Sequence, residues 1–145
     1  MSLVIDIADA VTAELNAAPA DTFDPTIAAV RRVLPEFELA DLAELKVSVV
    51  PKSVVITGST RAASQYEIAV DIGVQKKLGK DLDGEVAVLG TLMDQIADYL
   101  RRRPLSAAPF AAWVGIANEP VYAPEHLAEQ RVFTSVLTVT YRAMK

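Results

Sequence analysis

The chain has 145 residues, a hydrophobic fraction of 52% and no cysteine. This allows one domain with an ordinary buried core and excludes disulfides, thiolate nucleophiles and Cys-ligated zinc. A formal charge of −5 and an isoelectric point near 4.8 argue against general nucleic-acid binding, where neutralised phosphates drive affinity. Asp6 and Asp9 break the apolar start that a secretory signal needs, and no apolar run reaches the roughly 20 residues of a membrane span. A soluble, cytoplasmically made protein is therefore expected.

Residues 3–18 are predicted as a helix, because Leu3, Ile7, Val11 and Leu15 recur every four positions as one apolar stripe. Ser2 is in position to N-cap it, and Pro19 to end it before a connector at 19–25. Residues 26–34 fit a helix through Ile27, Val30 and Leu34 and a strand through Thr26, Ile27, Val30 and Val33; the strand is preferred. Residues 38–44 suit one short helical turn. Leu45–Val50 reads as a strand stopped by Pro51, and Val54–Thr57 either continues it beyond a kink or begins another. Gly58–Ser64 is small and polar, a loop.

Gln65–Leu78 has the strongest strand pattern. Tyr66, Ile68, Val70, Ile72 and Val74 point one way, while Glu67, Asp71 and Gln75 point the other. One face on a core and one in water favours an antiparallel sheet. After a turn at Gly79–Gly84, Val86, Leu89, Met93, Ile96 and Leu100 mark a second amphipathic helix that Asp81 or Asp83 can cap. Arg101, Arg102 and Arg103 fall in its last turn, where cations complement the helix dipole, and Pro104 closes it.

Residues 104–111 form an apolar loop, and Ala112–Ala117 a short strand. Phe110 and Trp113 are assigned to the core, with an exposed interface loop as the alternative. Pro124 opens a short helix at a favoured early position. Val132–Arg142 is the last strand, with Phe133, Leu137, Val139 and Tyr141 on one face and Thr134, Thr138 and Thr140 on the other. The strands are not each followed by a helix. The expected fold is α+β, an antiparallel-rich mixed sheet with two main helices packed on one face, in a single domain over 1–145.

Chemistry is hard to find in this sequence. His126 is the only histidine and stands among Glu125, Glu129 and Arg131, which reads as a surface position rather than the centre of a triad. With one histidine and no cysteine, a zinc site would need several carboxylates. Gly73–Asp81 has a phosphate-loop look but puts five residues between its glycines, begins inside a strand, and carries Asp81 where a magnesium-binding Ser or Thr belongs. The pairs Asp6/Asp9 and Asp94/Asp98 lie on the polar sides of the two helices, where solvation explains them. No catalytic, cofactor-binding or metal residue is assigned, and no enzyme activity is expected.

Three stretches resemble a known family: the strand Leu45–Pro51; Tyr66–Lys77 with its acidic turn and following helix; and Glu119–Leu127 running into Phe133–Arg142. From about Leu45 onward, and more loosely in the first helix, the chain is similar to the small neck and tail proteins of tailed phages, above all the tail terminators. That resemblance implies a structural virion protein that forms a hexameric ring on the completed tail tube. It implies as partners other copies of the chain, the tail tube protein and the head-side neck protein, with DNA passing through unbound, no membrane and no cofactor. Strand 65–78 and the loop 58–64 are expected to supply the pairing edges of such a ring. Arg61, Arg101, Arg102 and Arg103 are the candidate partner contacts. The rival readings are another connector or injection-machine component, and a small ligand-binding domain or enzyme.

Overall fold

In a computed structural model, residues 2–33, 41–58, 61–119 and 121–145 are described. Among them the elements run α1 (Leu3–Asn16), β1 (Ala29–Arg31), β2 (Lys46–Gly58), β3 (Ser64–Lys77), α2 (Leu82–Leu100), β4 (Ala112–Asn118), α3 (Pro124–Gln130) and β5 (Val132–Met144), with a 3-10 turn at Asp41–Ala43 before β2. Leu34 and positions 38–40 of the expected helical turn lie outside the described residues. The strands form one sheet in the order β1-β2-β3-β5-β4. β1 runs parallel to β2, and every other neighbouring pair is antiparallel. The fold is α+β with a mixed, mostly antiparallel sheet.

The period-two alternation of β3 decides where the core lies. Ile68, Val70, Ile72 and Val74 are fully buried, and they pair across the sheet with Tyr141, Val139, Leu137 and Ser135 of β5. Ile7, Val11 and Leu15 of α1 and Leu89, Met93, Ile96 and Leu100 of α2 join them in one apolar cluster, so both long helices cover this face. α2 starts where the sequence allows: Asp81 caps it by accepting from the Gly84 amide at 3.2 Å. A Cβ at Gly84 would stand 2.2 Å from the Asp81 carboxylate, so a larger residue there displaces the capping side chain.

The opposite face of β3 carries Glu67 and Asp71. Glu67 pairs with Arg142 at 2.8 Å, and Asp71 accepts from the Thr138 hydroxyl at 2.6 Å with Lys52 3.8 Å away. No long helix packs on this side among the described residues.

Several expectations are corrected. Ser2 is the N-cap residue of α1 but its side chain makes no capping bond. α1 ends at Asn16, two residues early, because the Asn16 amide turns to β1: its Nδ2 donates to the Ala29 carbonyl at 2.9 Å and its Oδ1 accepts from the Ala29 amide at 2.8 Å. β1 itself is only the middle of the expected strand. Pro51 does not stop β2. A bulge between Pro51 and Ser53 absorbs the missing N–H, and the strand continues to Gly58 against β3. The arginines lie beyond the last turn of α2 rather than in it: Arg101 leaves helical geometry at ψ 120, and Arg102 takes a left-handed φ of 57.

Candidate assembly surface

His126 is exposed on α3, and its Nδ1 lies 2.9 Å from the Thr134 hydroxyl, which gives it a structural partner on β5. Asp94 and Asp98 are exposed on α2, and Asp9 forms an ion pair with Arg31 at 2.7 Å. Gly73 lies in mid-strand and the Gly79 amide donates to Glu85 at 2.7 Å, so the phosphate-loop look-alike is a strand end followed by a helix cap. Among the described residues no group of three or more histidines and carboxylates stands together to hold a metal ion. Among the described residues no helix is long and apolar enough to cross a membrane.

One buried ionic cluster escaped the sequence reading. Glu14, on the inner side of α1, accepts from the Ser106 amide at 2.9 Å and faces Arg103 at 3.6 Å. Arg103 also donates to the Tyr99 carbonyl at 2.8 Å and lies 3.9 Å over the Tyr99 ring. Burial, and secondarily the Glu14 charge, push the Tyr141 phenol well above the ordinary tyrosine range. Its hydroxyl has no partner among the described residues. The cluster ties α1, the end of α2 and the 104–111 loop together. Glu14 and Arg103 each bind another part of the fold, through the Ser106 amide and the Tyr99 carbonyl, so the cluster holds structure.

The four arginines proposed as contacts therefore divide. Arg103 is committed to Glu14 and Tyr99. Arg101 and Arg102 are exposed at the end of α2, and Arg61 is exposed in the turn between β2 and β3, on a different element. Phe110 is not core: it is 57% exposed, while Leu105, Ala108 and Ala111 anchor its loop. Trp113 is partly buried against the core.

The surface most in need of explanation is the sheet edge. β3 is hydrogen-bonded on both sides, to β2 and to β5, so it has no edge to offer, contrary to expectation. The free edge belongs to β2. β1 covers β2 only from Val47 to Val49, with the Arg32 amide adding a bond to the Val49 carbonyl at 2.9 Å. From Pro51 to Gly58 no strand lies beyond β2 among the described residues.

Along that stretch Val54, Val55 and Ile56 are 38, 58 and 59% exposed. Their register partners are Ile68, Glu67 and Tyr66, so Val54 and Ile56 extend the core face while Val55 lies on the open face. Natural edges are usually blunted by charge, proline or a covering element. Here Lys52 and the Pro51 bulge protect only the start of the edge, and the Asn16 amide protects only β1. Among the described residues no element covers the two valines and the isoleucine, which present an apolar template with backbone donors and acceptors beside it.

At the far side of the sheet β4 is the other terminal strand, with Ala112 and Ala117 exposed on it and Val114 40% exposed at a bulge. No protein-family model matches the chain, and no curated protein matches its sequence.

Proposed function

We propose that this chain is a ring-forming structural subunit of a tailed phage or prophage, a tail terminator or a close neck relative that caps the tail tube and joins it to the head-side neck. The reading is carried by the Pro51–Gly58 edge of β2, where Val54, Val55 and Ile56 offer apolar side chains on both faces and no strand lies beyond them among the described residues. An edge of this kind is a liability in a protein that works alone and an asset in one that pairs with copies of itself. The strand patterns of Leu45–Pro51, Tyr66–Lys77 and Phe133–Arg142, which resemble the tail-terminator family, support the same role. The net charge of −5 suits a ring through which DNA passes without being held.

Light scattering on concentrated protein, paired with co-sedimentation on tubes assembled from the neighbouring tail tube protein, tests the proposal. A multimeric mass, or tube-dependent binding at one stoichiometry, is expected. A strict monomer at every concentration that also ignores the tubes sinks it.

A further inference from the structure

Resting on the ring reading, we infer that the interface between copies is a strand addition: the free Pro51–Gly58 edge of β2 in one copy pairs antiparallel with the β4 edge of the next, continuing the sheet around the assembly. The occupant of the bare edge is thus a second copy of this chain.

Four observations converge on it. The stretch of β2 beyond the short terminal strand β1 and the outer edge of the terminal strand β4 lie on opposite sides of the sheet, as a head-to-tail contact requires. β2 and β5 run one way while β3 and β4 run the other. Rotation about an axis along the strands preserves those directions, so β4 of one copy meets β2 of the next antiparallel.

The faces also match. Val55 shares the open face with its partner Glu67, and Ala117 shares it with Thr138, while Ile56 and Ile116 lie on the core face opposite Tyr66 and Val139. Setting Val55 opposite Ala117 therefore sets Ile56 opposite Ile116 and extends the apolar layer from one copy into the next.

The same register brings Lys52, exposed at the start of the free edge, beside Glu119, exposed just past the end of β4. A slip of two that sets Val55 opposite Gly115 keeps the faces and leaves Lys52 equally close to Glu119, so the charges do not choose between these two registers. The other arrangement, β2 against β2 of a second copy, would close a dimer and leave β4 bare.

The chain has no cysteine, which makes disulfide trapping clean. Antiparallel partners approach to roughly 4.5–5.5 Å between Cα atoms, inside the range of about 4.4–6.8 Å that a disulfide spans. Val55→Cys/Ala117→Cys, oxidised at high concentration and run without reductant, is expected to give a covalent ladder of multimers that dithiothreitol collapses. Either single variant is expected to give none. Val55→Cys/Gly115→Cys covers the two-residue slip, since an added Cβ at Gly115 meets nothing within 4 Å.

Circular dichroism on each variant, and the light-scattering mass of the unoxidised protein, accompany the gel. Strong dimer from Val55→Cys alone overturns the inference in favour of an isologous edge. A multimeric mass with no ladder from either double variant overturns it while leaving the ring reading intact. A folded monomer throughout, in the presence of tail tubes as well as without them, overturns both. Ile56→Lys is the complementary variant: loss of the multimer with an unchanged circular dichroism spectrum is expected, and an unchanged multimer contradicts the pairing.

Discussion

Replacing Glu14 separates the two interactions that hold the 104–111 loop. Its Oε1 accepts from the Ser106 amide at 2.9 Å, and its Oε2 faces Arg103 at 3.6 Å. The Glu14 side chain is 8% exposed and that of Arg103 41%. A hydrogen bond to a buried charged acceptor contributes about 1.5–3 kcal/mol. The ion pair reaches toward solvent, so screening and side-chain entropy hold it below about 1 kcal/mol. Glu14→Ala loses both and leaves the Ser106 amide without its acceptor, an expected loss of about 2–4 kcal/mol. Glu14→Gln keeps a neutral acceptor oxygen for that amide and loses the ion pair and the charge assistance, about 1–2 kcal/mol. Urea unfolding followed by the fluorescence of the single tryptophan, Trp113, at one fixed protein concentration reads both values. Equal losses from the two variants would refute this division, since the charge pair rather than the amide bond would then anchor the loop.

Val70 is fully buried at the centre of β3, so Val70→Asp places an unpaired charge in the core and is expected to abolish the folded circular dichroism spectrum; a folded variant would mean that the faces of β3 are reversed. Arg101→Gln with Arg102→Gln is expected to leave stability within about 0.5 kcal/mol of wild type, because both side chains are exposed past the helix end. Arg103→Gln loses the Tyr99 contact and its bond to the Tyr99 carbonyl, an expected cost of about 1–2 kcal/mol in the same urea assay; three equivalent arginines would contradict this. The Tyr141 hydroxyl has no partner among the described residues, so Tyr141→Phe is expected to change stability at neutral pH by less than about 1 kcal/mol. The folded state favours the neutral phenol, so its contribution is intact below the ordinary tyrosine value of about 10 and is lost as pH rises above it. Wild type should therefore weaken more steeply than Tyr141→Phe in alkaline urea titrations; parallel curves would show that Tyr141 ionises freely.

The faces of the elements were legible in the sequence, and their neighbours were not. The stripes of α1 and α2 and the alternation of β3 and β5 identify the core positions correctly, because periodicity records which side of an element is dry. It does not record what lies beside a strand. β3 has the cleanest alternation because it is central and covered on one face along most of its length, and for the same reason it has no edge left to pair. β2 alternates poorly because it leaves the helical layer at Pro51, and its exposed Val54–Ile56 reads like any other apolar strand. Proline is tolerated there because a bulge accommodates its missing donor and, among the described residues, no outer strand pairs with it.

Glu14 gave no signal. It interrupts the inner side of α1 like an ordinary helical glutamate, and its partners Arg103 and Ser106 lie far along the chain. Phe110 was misassigned for a similar reason: composition marks the loop as apolar, but the small residues Ala108 and Ala111, with Leu105, fill the core and leave the ring outside.

Negative-stain images of the concentrated protein, alone and mixed with tubes of the neighbouring tail tube protein, test the central claim most directly. Closed rings with a central opening, free or seated on one end of a tube, are the predicted result. Single subunits at every concentration, with bare tube ends, would contradict it.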